Sequence, residues 1–447
     1  YGDHRDLHLS IRRQRQMCIR DRYKGSLFPT VDILKDNATY ISFGFDPFTP
    51  NNKLSYSTLH FTNNVSIYKN KHTFTIGANY EGYKSDNLFF PASNGVYVFD
   101  SLAQFYAASA FGLANPDVDT SAVKYNRFQY RYSALPGAEE PLQTLKVNRF
   151  DLYAQDEYQV NKRLKLTYGV RAGVIVFENT GLANAAVDGQ DYIDENGNRG
   201  YKLETGKLPD PKVLWEPRGG FNWNVFGNNK TQVRGGLGIF TGRPPYVWVS
   251  NTIGNNGVLT GFIDNLGSKT LQNKFTAETN IFIPDVPRLP STFDIAATDA
   301  SYKFPQVWKN NLGIDQKLPF GLVASVELLY NRNVNAVKYF DANFEPATAT
   351  FAGPDNRPRF PASGLTTGQG AAVRINDNVS RAAVMTTTNE GWYRAATIKL
   401  EYPNKKGLYG MVAHTFSQAK DLMSAGSIAS DSWTGTRSIR GNNDLNL

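Results

Sequence analysis

The chain has 447 residues, 41% hydrophobic and 13% aromatic, and Lys and Arg exceed Asp and Glu by 8. No run approaches the ~18 apolar residues of a membrane helix. That excludes a helical span but not a strand-crossing protein, whose alternating strands average out as polar. A single cysteine excludes a disulfide framework.

The first 22 residues, YGDHRDLHLSIRRQRQMCIRDR, match neither a helix nor a strand period and lack the apolar region of a signal peptide. The stretch RRQRQMCIRDR resembles translated sequencing-adapter read-through, so 1–22 is assigned to a non-native, disordered leader. A basic arm is the other reading. Removing its six Arg and three Asp takes Lys+Arg from 48 to 42 and Asp+Glu from 40 to 37. The resulting +5 is no electrostatic footprint for nucleic acid. The lone Cys18 goes with the leader, as do His4 and His8.

From there the signal is alternation of period two. Leu59, Phe61, Val65 and Ile67 share one face, and Phe74, Ile76, Ala78 and Tyr80 follow after the polar turn at 69–72. That is a β-hairpin. A second hairpin runs through Phe150, Leu152, Ala154, Tyr158 and Val160, turns at 161–163, and returns through Leu164 to Val176. The third turns at 227–230, the fourth at 317–321 and the fifth at 404–407. Connections between hairpins are long, about 84 to 147, 178 to 214, 241 to 305 and 333 to 390. Compact soluble domains use loops of ~4–6 residues. Outer-membrane barrels pair short periplasmic turns with long extracellular loops. The fold expected is therefore all-β, part of an antiparallel transmembrane barrel with about ten strands over 23–447, forming an open, curved sheet or half-barrel with long, poorly defined extracellular loops. A β-sandwich fits less well, because its strands are usually ~5–6 residues long.

Arg243, Tyr246 and Trp248 follow Pro244–Pro245 beyond the third hairpin. They read either as ligand contacts at the extracellular mouth or as a strand end followed by girdle aromatics. Asp188, Asp191, Asp194 and Asn196 form an oxygen-rich stretch that could attract Ca²⁺. Its spacing fails the helical calcium loop, since the sixth position from Asp194 is Arg199 rather than Gly, and a solvated loop tip is expected. His60, His72 and His414 stand apart, and His414 and Ser417 face opposite sides of a strand. No metal, cofactor or catalytic site is expected. Asp156 interrupts an apolar face and is expected near the periplasmic rim, where a carboxylate costs least.

Four segments carry a family likeness: NKLSYSTLHFTNNVSIYKNKHTFTIGANYE (52–81), LYAQDEYQVNKRLKLTYGVR (152–171), WEPRGGFNWNV (215–225) and QVRGGLGIFTGRPPYVWVSN (232–251). Together they resemble TonB-dependent outer-membrane receptors, the Oar-like branch of Bacteroidota in particular. The resemblance implies a 22-stranded barrel with a plug, embedded in outer-membrane lipid. It also implies import of an extracellular ligand, energised by the TonB complex through a Ton box. Neither plug nor Ton box is legible here, and the chain reads as the middle of a receptor cut at both ends. A passive porin or adhesin barrel is the alternative function, and an outer-membrane enzyme a third.

Overall fold

The computed structural model describes residues 28–138, 140–266, 272–285, 293–350, 353–354, 358–359, 373–405 and 407–422. The leader assigned to 1–22 lies outside them. The chain forms two compact units, one of Ser55–Asp86, Gln143–Gly257 and Thr292–Leu447, the other of Tyr1–Leu54, Asn87–Leu142 and Val258–Ser291.

All five hairpins form where alternation puts them. They are β1 (Asn52–Lys69) and β2 (His72–Phe89), β3 (Gln143–Asn161) and β4 (Leu164–Phe177), β5 (Lys212–Asn224) and β6 (Thr231–Thr241), β7 (Gln306–Lys317) and β8 (Val323–Asp341), β9 (Trp392–Lys405) and β10 (Leu408–Lys420). Their turns are tight. Asn70 takes a left-handed φ of 55°, a backbone that Asn tolerates better than most residues. Each strand bonds its neighbours in chain order, from β1 to β10. Among the described residues β1 and β10 are paired on one side only, so the sheet is open.

Register fixes two unlike faces. Glu157 lies opposite Thr167 and Tyr153 opposite Arg171. Arg171 faces Glu216, Asn222 faces Arg234, and Gly313 faces Glu327. These polar side chains share the lumenal face with Asp151, Asp315 and Thr397, by the alternation of each strand. The opposite face carries Leu152, Trp215, Leu237, Leu312, Leu328 and Ile398, each exposed by 43% or more. So much exposed apolar surface needs a non-aqueous partner. Trp215 and Trp223 bracket nine residues of β5, close to the ~9–11 that a tilted strand needs to cross the hydrocarbon core.

Two features depart from expectation. Beyond Arg332, β8 leaves β9 and pairs with Val379–Thr388 instead. Gly391 separates the two partners with a φ of 102°. A strand at Phe293–Thr298 then runs parallel to Val379–Thr388, inside an otherwise antiparallel sheet.

The long connections, together with the segment ahead of β1, are also not irregular. Thr260–Leu266, Arg127–Ser133, Val96–Phe99, Thr30–Lys35 and Ala38–Phe43 form a five-stranded sheet in that order. A helix at Leu102–Ala114, capped by the Ser101 side chain accepting from the Gln104 N–H, packs with them. Val31, Ile33, Tyr97, Phe99 and Phe128 are at most 1% exposed in this second core. The expectation of structureless loops is thus corrected. Composition rich in Gly and Pro hid short strands, several of which pair across about thirty to more than a hundred residues.

The face assignment makes a direct prediction. In the protein inserted in membranes and with Cys18 replaced, a cysteine at Asn311 should react with a water-soluble maleimide. One at Leu237 should stay protected until detergent is added. The reverse labelling pattern would invert the two faces.

Candidate functional site on the lumenal face

The lumenal face of β2 to β5 is organised by three buried carboxylates. Asp151, its side chain fully enclosed, accepts from Arg149 Nε at 3.0 Å and from Arg171 Nη2 at 2.6 Å. Asn79 Nδ2 donates to the same carboxylate at 3.1 Å. Glu216, on the next strand, lies 3.6 Å from Arg149 Nη2. Glu81 pairs with His60 Nε2 at 2.5 Å and with Arg243. Gly173 makes room for this arrangement, since a Cβ there would sit 2.6 Å from Asp151 Oδ1. An open cleft of about 510 Å³ runs over the network, lined by His60, Glu81, Arg149, Tyr153, Arg171 and Arg218 among others.

Taking charges out of water is tolerable for Asp151 and Glu81 because each is shared by more than one donor, whereas Glu216 has Arg149 beside it without a hydrogen bond to its Oε1. Removing a partner from such a set leaves an uncompensated charge, and breaking a buried pair costs ~3–5 kcal/mol. Asp151→Ala should destabilise the protein by about 3 kcal/mol, the lower end, since water reaches part of the Arg171 side chain. Urea unfolding in detergent measures it, and Asp151→Ala with Arg171→Ala should recover part of the loss.

Arg243, Tyr246 and Trp248 are placed together, but not at a lipid-facing girdle. Pro244 and Pro245 end the strand, and a helix starts at once, Tyr246–Gly254, with Pro245 at its N-cap. Val249 and Ile253 of this helix are buried with Leu145, Val147, Ile175 and Leu214, which continue the lumenal alternation of β3, β4 and β5. Tyr246 packs on Tyr83 at 4.6 Å and Trp248 on Tyr339 at 6.4 Å between ring centres. The girdle assignment is thereby corrected: Pro-Pro ended the strand as foreseen, but φ fixed near −65° also suits a helix start. Arg243 lies over the Tyr246 ring at 5.2 Å.

Asp188, Asp191, Asp194 and Asn196 do not converge. Asp188 accepts from the Thr205 N–H and hydroxyl at 2.9 and 3.1 Å, while Asp191 pairs with Lys202 at 2.6 Å. Asp194 closes the tip of a small hairpin, Tyr192–Ile193 with Arg199–Tyr201. Its Oδ1 accepts from the N–H groups of Asn196 and Asn198, both at 2.8 Å. Among the described residues no three acidic, His or Cys side chains are placed to share a cation. Burial alone would raise the Asp194 carboxyl, but these donors outweigh it and hold it below the usual range. Such a group stabilises its hairpin above the ordinary carboxylate pKa of about 3.9, and the contribution is lost as pH falls through the depressed value. Amide exchange at Asn196 and Asn198 should therefore accelerate only under strongly acidic conditions, and at all pH values in Asp194→Ala.

Two histidines have carboxylate partners that the sequence did not reveal. His60 lies on the lumenal face with Glu81. On the lipid face His72 Nδ1 meets Asp156 Oδ2 at 2.7 Å, and the Tyr168 hydroxyl donates to the same oxygen at 2.6 Å. The signal was available in part. Asp156 and Tyr168 are opposite each other once the turn at 161–163 sets the register.

The chain matches a family model described as an outer membrane beta barrel domain over residues 13–446. It belongs to that family, and it is a strand-crossing protein of the Gram-negative outer membrane. No curated protein matches it in sequence. Among solved structures it is similar to the outer membrane transporter YddB from Escherichia coli, at 11% identity and a TM-score of 0.47, over 89% of this chain and 38% of that one. It is also similar to the FrpB iron transporter from Neisseria meningitidis (F3-3 variant), at 11% identity and 0.41, over 83% of this chain and 36% of the other. For a mutant of the ferric enterobactin receptor PfeA from Pseudomonas aeruginosa the values are 12%, 0.40, 86% and 37%. The chain thus spans well under half the length of each of these structures.

Proposed function

We propose that the protein is the barrel of a TonB-energised outer-membrane receptor that imports an extracellular ligand. The observation that carries this reading is the sheet itself. One face suits lipid, and the other presents a water-facing array of charged and amide side chains along ten consecutive strands. Parts of the long connections join the segment ahead of β1 in a second core, and ordered loops on a rigid scaffold are where binding residues concentrate. The likeness of 52–81, 152–171, 215–225 and 232–251 to TonB-dependent receptors supplies the energy coupling, and the Oar-like branch is the part of that family it favours. In this reading Arg243 is the ligand contact, held over Tyr246, while Tyr246 and Trp248 fix its position. Outer-membrane lipid and TonB are the partners.

The test uses the gene and the whole protein. Sequence upstream of this region should encode a plug and a Ton box, and protein purified from outer membranes should retain the periplasmic domain of TonB. A genuine upstream start without a plug, together with no retention of TonB, would favour a passive porin or adhesin.

A further inference from the structure

Alternation sends a few charges outward, to the face that meets lipid, and two of them fall together at the far end of β8 and β9. Arg332 lies opposite Trp308 on one side and Trp392 on the other. Two residues nearer the turns, Arg394 lies between Tyr330 and Gln418. These positions share the parity of Leu312, Leu328 and Ile398, and both arginines are exposed. The strands on either side of each arginine are in the structure, so no further strand of the barrel comes between these side chains.

Their height is that of the outer membrane boundary. Trp308 stands nine residues from Lys317, Arg332 nine from Val323 and Arg394 eleven from Lys405, at the tight turns. Nine residues rise ~30 Å along a strand, and a tilt of ~35–45° leaves ~23 Å, close to the ~25 Å apolar band of such barrels. An outward arginine at that level escapes most of the cost that charge carries at the midplane and reaches the headgroups. Trp308, Tyr330 and Trp392 are the amphipathic rings that settle there, and the Arg394 guanidinium lies 5.0 Å from the centre of the Trp392 ring.

Two guanidinium groups side by side at a membrane boundary call for an anion. Arg332 and Arg394 are diagonal neighbours across β8 and β9, which sets them about 7–8 Å apart at the backbone, and like charges repel more strongly where water is scarce. The groups that meet Arg394 are neutral: its Nε donates to Gln418 Oε1 at 3.0 Å, and the Trp392 ring lies beneath it. Farther round the same face the outward cations are matched, Lys84 by Asp86 at 3.1 Å and Lys146 by Glu178 at 2.9 Å. A phosphate carried by the lipid fits the arginine pair, since its oxygens match the planar guanidinium fork. We infer that the outer ends of β8 and β9 bind a phosphorylated headgroup of an outer-leaflet lipid, with Arg332 and Arg394 clamping the phosphate and Trp308 and Trp392 flanking it. The site is on the outside of the sheet, so it does not depend on what fills the lumen and holds for an importer or a passive pore alike.

Native mass spectrometry of the whole protein in detergent tests it, with monophosphoryl lipid A and the same lipid stripped of its phosphate as probes. The phosphorylated lipid should bind about tenfold more tightly, the effect of one hydrogen bond to a charged group. Inorganic phosphate at matched concentration should not displace it, which separates a lipid headgroup from a soluble anion. Arg332→Gln with Arg394→Gln should remove the preference, and the fold should survive because losing a charge on the lipid face costs nothing in insertion. Lys84→Gln, which changes an outward cation already paired with Asp86, should keep the preference. Equal binding of the two lipids by the unaltered protein or displacement by inorganic phosphate would overturn the assignment without recourse to any variant. So would a preference that survives the double change, or one lost as fully in Lys84→Gln. Failure to retain TonB leaves these results unaffected, so the two readings fail separately.

Discussion

Backbone hydrogen bonding in hydrocarbon is the constraint on which everything else in this protein rests. Lipid offers no donor or acceptor, so each N–H and C=O at membrane depth must be paired within the protein. Strands meet that demand only by pairing with neighbours, which forces a continuous ladder and therefore hairpins. Once the ladder exists, side chains alternate without exception between two media. The sequence then has little freedom to mix them, and Leu237, Leu312 and Leu328 fall on one face while Arg234, Asn311 and Glu327 fall on the other. The same constraint relaxes beyond the membrane. There β8 changes partner at Gly391, and a parallel strand joins the sheet.

The lumenal face shows a second level of organisation that the ladder permits but does not dictate. Charges cluster into local sets such as Asp151 with Arg149 of its own strand and Arg171 of the next. Such sets lock register as well as neutralise charge. A slip of one residue that flipped β3 against β4 would carry Asp151 and Arg149 into lipid and leave Arg171 without its carboxylate, a penalty far larger than the loss of one ladder bond.

How much of this was legible follows from the range of the interactions. Hairpins are local, so period two and the tight turns at 69–72, 161–163, 227–230, 317–321 and 404–407 were enough to place ten strands. The second core was not legible, because Val96–Phe99 pairs with Thr30–Lys35 across some sixty residues and Arg127–Ser133 with Thr260–Leu266 across more than a hundred. No local pattern encodes such pairings. The helix at Tyr246–Gly254 was missed for a different reason. Proline was read as the end of a strand, which it is, and its equal fitness to begin a helix was overlooked. Charge pairs fell between these cases: residue types and faces were visible, but diagonal contacts such as Asp151 with Arg171 need the exact register.

Asp156 shows how the same physics accommodates an exception. Its position alternates with Phe150, Leu152 and Tyr158, so the carboxylate belongs to the lipid face, yet it is only 4% exposed. His72 stacks on Tyr158, with ring centres 4.3 Å apart and planes 2° from parallel, and on Phe74 beyond it. This aromatic stack covers the carboxylate from one side while the Tyr168 hydroxyl reaches it from β4. Three strands thus share one polar contact beside their turns, where the bilayer gives way to headgroups and the cost of a charge falls toward zero to one kcal/mol, about the value seen at interfaces. The aromatic side chains of Phe74, Tyr158 and Tyr168 do more than face lipid here. They enclose the one acid that the alternation of β3 would otherwise have delivered to the lipid.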